Sequence, residues 1–201
     1  MRLTVSGDQA TAAQDRRTPL PSYGTIAKAF HWVMFLLIGA MFPLGYVMAD
    51  LDLSPQKLQL YSWHKSFGIV ILFLAVLRLG WRLFRAPPPL PAAMPVHERF
   101  AAHGVHALLY VCLLALPMSG WLMSSASGLP VVVFRLWQLP DLIGASEPLR
   151  LALLIVHQSI GFFLLALLVV HVAASLVHHH VRKDDVLLRM LPFIRHRHSK
   201  S

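Results

Sequence analysis

Four histidines of this chain lie within long apolar stretches, where an ionisable side chain is costly: His31, His64, His157 and His171. Polar residues in such places are functional candidates by default, because lipid offers them no partner. The alternative for any single histidine is a neutral imidazole that hydrogen-bonds to a neighbouring helix. Neutral imidazole is also a common metal ligand, and the four residues taken as a set favour that interpretation.

The spacing of His157 and His171 indicates how these residues are distributed across a membrane. They are 14 residues apart in one apolar segment, which corresponds to ~21 Å along a helix axis with ~40° of angular drift. Both side chains are therefore expected on one face of a helix, with one side chain near each leaflet.

The composition indicates an integral membrane protein. Hydrophobic residues make up 56% of the chain and charged residues 13%, whereas soluble domains usually contain about 25% charged residues. Cys112 is the single cysteine, which excludes an intrachain disulfide scaffold and a CxxCH haem attachment. The net charge of +9 does not indicate nucleic-acid binding, because the basic residues flank apolar segments and form no continuous stripe.

Four apolar segments are long enough to cross a bilayer, which takes ~20 residues of helix. Their predicted bounds are about 27–50, 59–84, 100–123 and 150–180. Each is predicted to be a helix, because lipid leaves backbone groups without partners and the segments lack the alternation of barrel strands. The predicted fold class is all-α, an integral membrane four-helix bundle over 25–181, with a mobile tail over 1–24 and a basic tail over 182–201.

The distribution of lysine and arginine predicts the orientation of this bundle. The two termini and the connection between the second and third spans hold 14 of the 18 basic residues, and the opposite side holds 4. Both termini are therefore expected in the cytoplasm. Because successive helices run in opposite directions, His31 is expected at the depth of His171, and His64 at the depth of His157.

Two imidazoles that face each other inside an apolar bundle favour a haem iron with two axial histidines. Gly68 and Gly161 each follow one of these histidines by four residues, so each leaves room for a flat macrocycle on the same helix face. The alternative for the two glycines is close packing between helices. Zinc is less consistent with the pairs, because it usually takes three or four ligands and the spans offer no carboxylate at these depths.

Several stretches of the sequence resemble the bacterial cytochrome b561 family. They are AFHW in the first span, WHKSFG and AAHGVHALLY at the start of the second and third, and VHQSIGFFLLALLVVHVAASLVHHHVRKDDVLLRMLP through the fourth. The resemblance covers about residues 25–192 and implies four helices that hold two haem b groups, with ligands at His31, His64, His157 and His171. It also implies a bacterial inner-membrane protein. Some members of the family oxidise superoxide at the periplasmic face and pass the electrons to ubiquinone.

Further polar residues near the ends of the spans are candidates for secondary roles. On the cytoplasmic side, candidates for binding haem propionates or protonating a quinone are His103, His106, His178, His179, Arg182 and Lys183, with Arg78, Arg82 and Arg99 nearby. The alternative is that these residues are solvated helix ends. On the periplasmic side, Lys65 is a candidate for holding a propionate or for attracting an anion such as superoxide. The alternative is that its side chain only extends to the membrane interface.

Two other functions stay open beside superoxide oxidation. A haem protein of this kind can relay electrons as the membrane anchor of a partner dehydrogenase or periplasmic redox protein, and a haem-free bundle can be a transporter or a structural protein. The expected partners are membrane lipid, a quinone, and superoxide or another periplasmic donor. The apolar connection over 124–149 is interpreted as an interfacial segment in preference to a functional lid.

Overall fold

The computed structural model of this protein describes residues 22–91 and 94–192. The predicted mobile tail lies outside these residues except for 22–24, and so does the last part of the predicted basic tail, 193–201. The described chain contains four long helices, α1 (Thr25–Asp50), α2 (Pro55–Phe84), α3 (Val96–Ala126) and α4 (Glu147–Val177). All four are long and apolar enough to cross a membrane, which confirms the predicted all-α four-helix membrane bundle.

The helices extend beyond the predicted spans because their polar ends continue the helical backbone past the apolar core. Ser54 caps α2, where its hydroxyl accepts a hydrogen bond from the N–H of Lys57, and Pro55 occupies a position at which no N–H is needed. At the other end of the chain, α4 continues into a π-helical turn, His178–Arg182. This turn ends at Lys183, whose backbone is left-handed with φ of 54°.

Apolar packing at the middle of the bundle holds the four helices together. Close backbone contacts join α1 to α2, α2 to α3 and α3 to α4. The buried side chains of this core come from all four helices: Met34, Ile38, Ile71, Ala75, Leu109, Cys112, Leu113, Leu164 and Leu167. Many large apolar side chains on the outer faces are exposed. This arrangement suits a bundle whose outside is in contact with lipid.

A two-stranded hairpin forms part of the connection between α3 and α4. Its strands, β1 (Val132–Val133) and β2 (Trp137–Gln138), are antiparallel. The turn residues Phe134 and Arg135 both have positive φ, 47° and 62°, as a tight turn between twisted strands requires. The N–H of Phe134 donates to the hydroxyl of the fully buried Ser66 at 2.9 Å, so the hairpin is attached to α2.

We expect the substitution Ser66→Ala to loosen this attachment, because the N–H of Phe134 would lose its acceptor. A hydrogen bond of this kind contributes about 1 kcal/mol, so amide exchange over 131–138 should accelerate about fivefold. Hydrogen-exchange mass spectrometry of the protein in detergent measures this. Ser175→Ala is the matched control, because that hydroxyl donates to His171 O within its own helix. Unchanged exchange in the hairpin of Ser66→Ala would show that packing alone holds it.

After α4, the chain returns across the end of the bundle that carries both termini. The ammonium group of Lys28 is buried and donates to the carbonyl of Leu191 at 2.9 Å. The indole N–H of Trp32 donates to the carbonyl of Met190 at 3.0 Å. Part of the segment expected as a basic tail therefore packs against α1, beside His31.

Candidate functional site

The four intramembrane histidines form two pairs at opposite ends of the bundle. The terminus-side pair consists of His31 on α1 and His171 on α4, whose ring centres are 6.2 Å apart. The loop-side pair consists of His64 on α2 and His157 on α4, whose ring centres are also 6.2 Å apart. Each pair thus takes one residue from α4 and one from a helix of the other half of the bundle.

The distance between the rings has the size expected for two histidines that bind one metal ion. A metal–imidazole bond is ~2 Å long, so two rings whose nitrogens point at the same ion have centres ~6 Å apart. The extensive backbone contacts of α4 with another of the four helices are those with α3. The two histidine pairs instead join α4 to α1 and to α2.

The hydrogen bonds of His157 fix which of its nitrogens is free. Its Nδ1 lies 3.0 Å from the carbonyl oxygen of Leu116 and 3.0 Å from the hydroxyl of Ser119. Because a carbonyl oxygen can only accept, Nδ1 carries the proton and donates it. Nε2 then keeps its lone pair, as metal-binding histidines with such a backbone partner do.

Two glycines allow helices to approach the loop-side pair closely. A Cβ at Gly45 would lie 3.2 Å from Cε1 of His64, and a Cβ at Gly120 would lie 3.1 Å from Cε1 of His157. The Nδ1 atom of His64 is buried and has no hydrogen-bond partner among the described residues. Neither glycine was predicted from the sequence. Gly45 has one usable signal, because it follows His31 by 14 residues and so lies at the depth of His64.

Gly68 and Gly161, the glycines predicted to leave room for a macrocycle, have different surroundings. A Cβ at Gly68 would meet nothing within 4 Å, and a Cβ at Gly161 would meet only Cδ1 of Leu116 at 3.9 Å. Both glycines lie one helical turn after a histidine of the loop-side pair, and the open space at Gly68 fits a flat group bound at that pair. The two imidazoles of each pair fit the donor set of a haem iron.

Basic and aromatic side chains surround the terminus-side pair. The guanidinium of Arg78 donates to Nδ1 of His31 at 3.1 Å. The ring of His106 lies 5.3 Å from the ring of His171, and its Nδ1 donates to the carbonyl of Ala102 at 2.6 Å. The structure thus brings His106 beside the terminus-side pair, although no group of three or more His, Cys, Asp or Glu side chains that could hold a metal ion occurs within the described residues.

Most of the other candidates lie near the ends of helices. His178 forms a 2.5 Å contact with the carboxylate of Asp184, and Arg182 pairs with Glu98. His103 is exposed on α3. Lys183 lies where the π-helical turn ends. The ring of His179 contacts the ring of His180. Arg99 donates a hydrogen bond to the carbonyl of Pro91. On the opposite side of the bundle, Lys65 donates to the carbonyl of Leu129 at 3.3 Å.

Comparisons with known proteins agree on one family. The family model described as prokaryotic cytochrome b561 matches residues 22–193. "Cytochrome b561 homolog 2" of Escherichia coli (strain K12) is 37% identical over 180 residues, which cover 84% of this chain and 90% of that protein. "Cytochrome b561 homolog 1" of the same strain is 27% identical over 81% of this chain and 92% of its own length. "Probable superoxide oxidase CybB" of Yersinia pestis is 30% identical over 85% of this chain and 96% of its own length.

Proposed function

We propose, from the premise that this chain belongs to the prokaryotic cytochrome b561 family, that it carries electrons across a membrane from superoxide to ubiquinone. The proposal places one haem b at the terminus-side pair and one at the loop-side pair. The observation that carries it is that two equivalent histidine pairs, each with ring centres 6.2 Å apart, lie at opposite depths of one bundle. A single pair would give a redox centre without a path across the bilayer.

The protein's contribution is to hold and orient the ligands. His31 and His171 would bind the terminus-side haem, and His64 and His157 the loop-side haem. A bound haem supplies reversible one-electron redox chemistry. The hydrogen bond from Nδ1 of His157 to the carbonyl of Leu116 fixes the ring and makes the opposite nitrogen a stronger donor. The apolar core between the pairs keeps water out of the space that separates them.

The proposed reaction balances as follows. Two superoxide anions each lose one electron and leave as O2, while one ubiquinone takes up the two electrons and two protons to form ubiquinol. The donor is suggested by a relative whose printed name is a probable superoxide oxidase. Lys65 is the candidate that attracts the anion on the loop side, since it follows His64 directly. His178 and Asp184, in contact at the terminus side, are candidates for delivering protons to the quinone.

The same proposal includes the location of the chain. We propose that the bundle lies in the bacterial inner membrane with both termini in the cytoplasm, so that the loop-side pair is near the periplasm. The excess of basic residues near the termini supports this orientation. To test this orientation, Ser54, the N-cap residue of α2, is replaced by cysteine in a Cys112→Ala background. Labelling of this cysteine in intact cells with a membrane-impermeant maleimide is the measurement.

The decisive experiment is a reduced-minus-oxidised absorption spectrum of the purified protein, together with a count of haem per chain. We expect two haems per chain and a superoxide-dependent reduction of added ubiquinone, with two superoxide ions consumed per ubiquinol. A well-folded protein without a Soret band would overturn the proposal and favour a haem-free transporter or structural bundle. A di-haem protein inert to superoxide, whose haems are reduced only when a partner is added, would favour the electron-relay anchor.

A further inference from the structure

Two arginines of α2 lie against one aromatic ring at the terminus side of the bundle. The guanidinium carbon of Arg78 is 5.8 Å from the ring centre of Tyr110, and that of Arg82 is 5.5 Å from the same centre. The two arginines are four residues apart, so they share a helix face. Two cations from successive turns of α2 therefore lie near the same ring.

No carboxylate of the described chain neutralises these two cations. Its ion pairs are Arg150 with Glu147, His178 with Asp184 and Arg182 with Glu98. Among the described residues, the hydrogen-bond partners of the Arg78 guanidinium are Nδ1 of His31 at 3.1 Å and the sulfur of Met34 at 4.0 Å. Like charges placed close together within an apolar segment are costly without an anion. The arrangement therefore suits an anionic ligand.

The chemistry of His31 indicates which anion this is. Its Nδ1 can accept from Arg78 only while the proton is on Nε2. When Nε2 binds a metal ion, a neutral imidazole carries its proton on Nδ1. The N–H at Nδ1 and the guanidinium of Arg78 are then two hydrogen-bond donors that face each other. The guanidinium of Arg78 must then find another acceptor near the same histidine. A carboxylate that arrives with the metal-bearing group meets this requirement, and arginine binds carboxylates with two parallel hydrogen bonds.

We propose that Arg78 and Arg82, held by Tyr110, form an anion clamp that binds the propionate carboxylates of the terminus-side haem. This inference rests on the haem-binding part of the proposed function. Anionic lipid phosphate is the competing ligand for the same two guanidinium groups. The clamp gives the haem one orientation at this pair, because only one edge of the ring bears carboxylates.

A binding cycle tests the clamp directly. Apoprotein in a His157→Ala background, which keeps the terminus-side pair, is titrated with haem b and with its dimethyl ester, whose carboxylates are neutral. We expect esterification to weaken binding at least tenfold when Arg78 and Arg82 are present, and to have little effect in Arg78→Gln/Arg82→Gln. Arg85→Gln is the matched control, because Arg85 ends the same helix but is exposed.

A second readout is the reduction equilibrium of the terminus-side haem. Removing the cation at Arg78 should disfavour the reduced form about tenfold, which is ~59 mV for one electron, whereas Arg85→Gln should leave it unchanged. Equal esterification effects in the wild type and the double variant would overturn the clamp while haem binding stands. Loss of a co-purified anionic lipid from the double variant, seen by native mass spectrometry with haem affinity unchanged, would assign the arginines to lipid. Failure of the wild type to bind any haem would instead overturn the proposed function.

Discussion

Replacing either His64 or His157 with alanine is expected to reduce the haem content from two per chain to about one. In the proposed function each substitution removes one of the two histidines that would hold the loop-side haem, and a haem with one remaining histidine would be held weakly against exchange into detergent. Since the two residues would share one haem, both variants should lose the same one. Their remaining spectra and midpoint potentials should therefore be superimposable, which redox titration followed at the α-band measures.

The companion variants separate this result from general damage to the fold. His31→Ala and His171→Ala should retain the loop-side haem, so their spectra should match each other and differ from the first two variants. His97→Ala, an exposed histidine of the first turn of α3, should keep both haems. If His64→Ala and His157→Ala lost different haems, the pairing of residues across the bundle would be wrong, although the protein would still be a cytochrome.

The helices could be predicted from the sequence because the membrane imposes their length and composition. Hydropathy is a property of each segment taken alone, so the four spans needed no knowledge of tertiary contacts. The depth of each histidine followed in the same way from helix rise and alternating direction. The predicted helix bounds were less accurate at the polar ends, as with Pro55 and Val96. Caps and prolines extend these helices through polar residues that a hydropathy criterion does not detect.

The features that the sequence did not disclose depend on contacts between distant segments. The hairpin turn at Phe134 and Arg135 has positive φ without glycine or asparagine, and it is attached through Ser66, 68 residues earlier in the chain. The return of the chain across α1 depends likewise on Lys28 and Leu191. Local propensity contains no information on such contacts, because their free energy arises only when the packed bundle brings the partners together.

Gly120 is the position where a small change is expected to have the largest effect among residues that are not proposed haem ligands. A Cβ at this position would lie 3.1 Å from Cε1 and 3.4 Å from Nδ1 of His157. The imidazole cannot easily move aside, because its Nδ1 is held by the carbonyl of Leu116 and the hydroxyl of Ser119. We expect Gly120→Val to rotate the ring and break these hydrogen bonds. Overpacking of this kind costs about 1–3 kcal/mol, so loop-side haem affinity should fall about fivefold to 150-fold.

Haem titration of the apoprotein measures this loss, and Gly104→Val is the matched control. Gly104 lies on the same helix, and a Cβ there would meet nothing within 4 Å, so this variant carries the same propensity penalty without the steric contact. Gly120→Ala should fall between the wild type and Gly120→Val, because one methyl group displaces the ring less than a branched side chain. Equal haem affinity in Gly120→Val and Gly104→Val would mean that His157 adapts to the added volume. The orientation of its ring would then not be set by the helix packed against it.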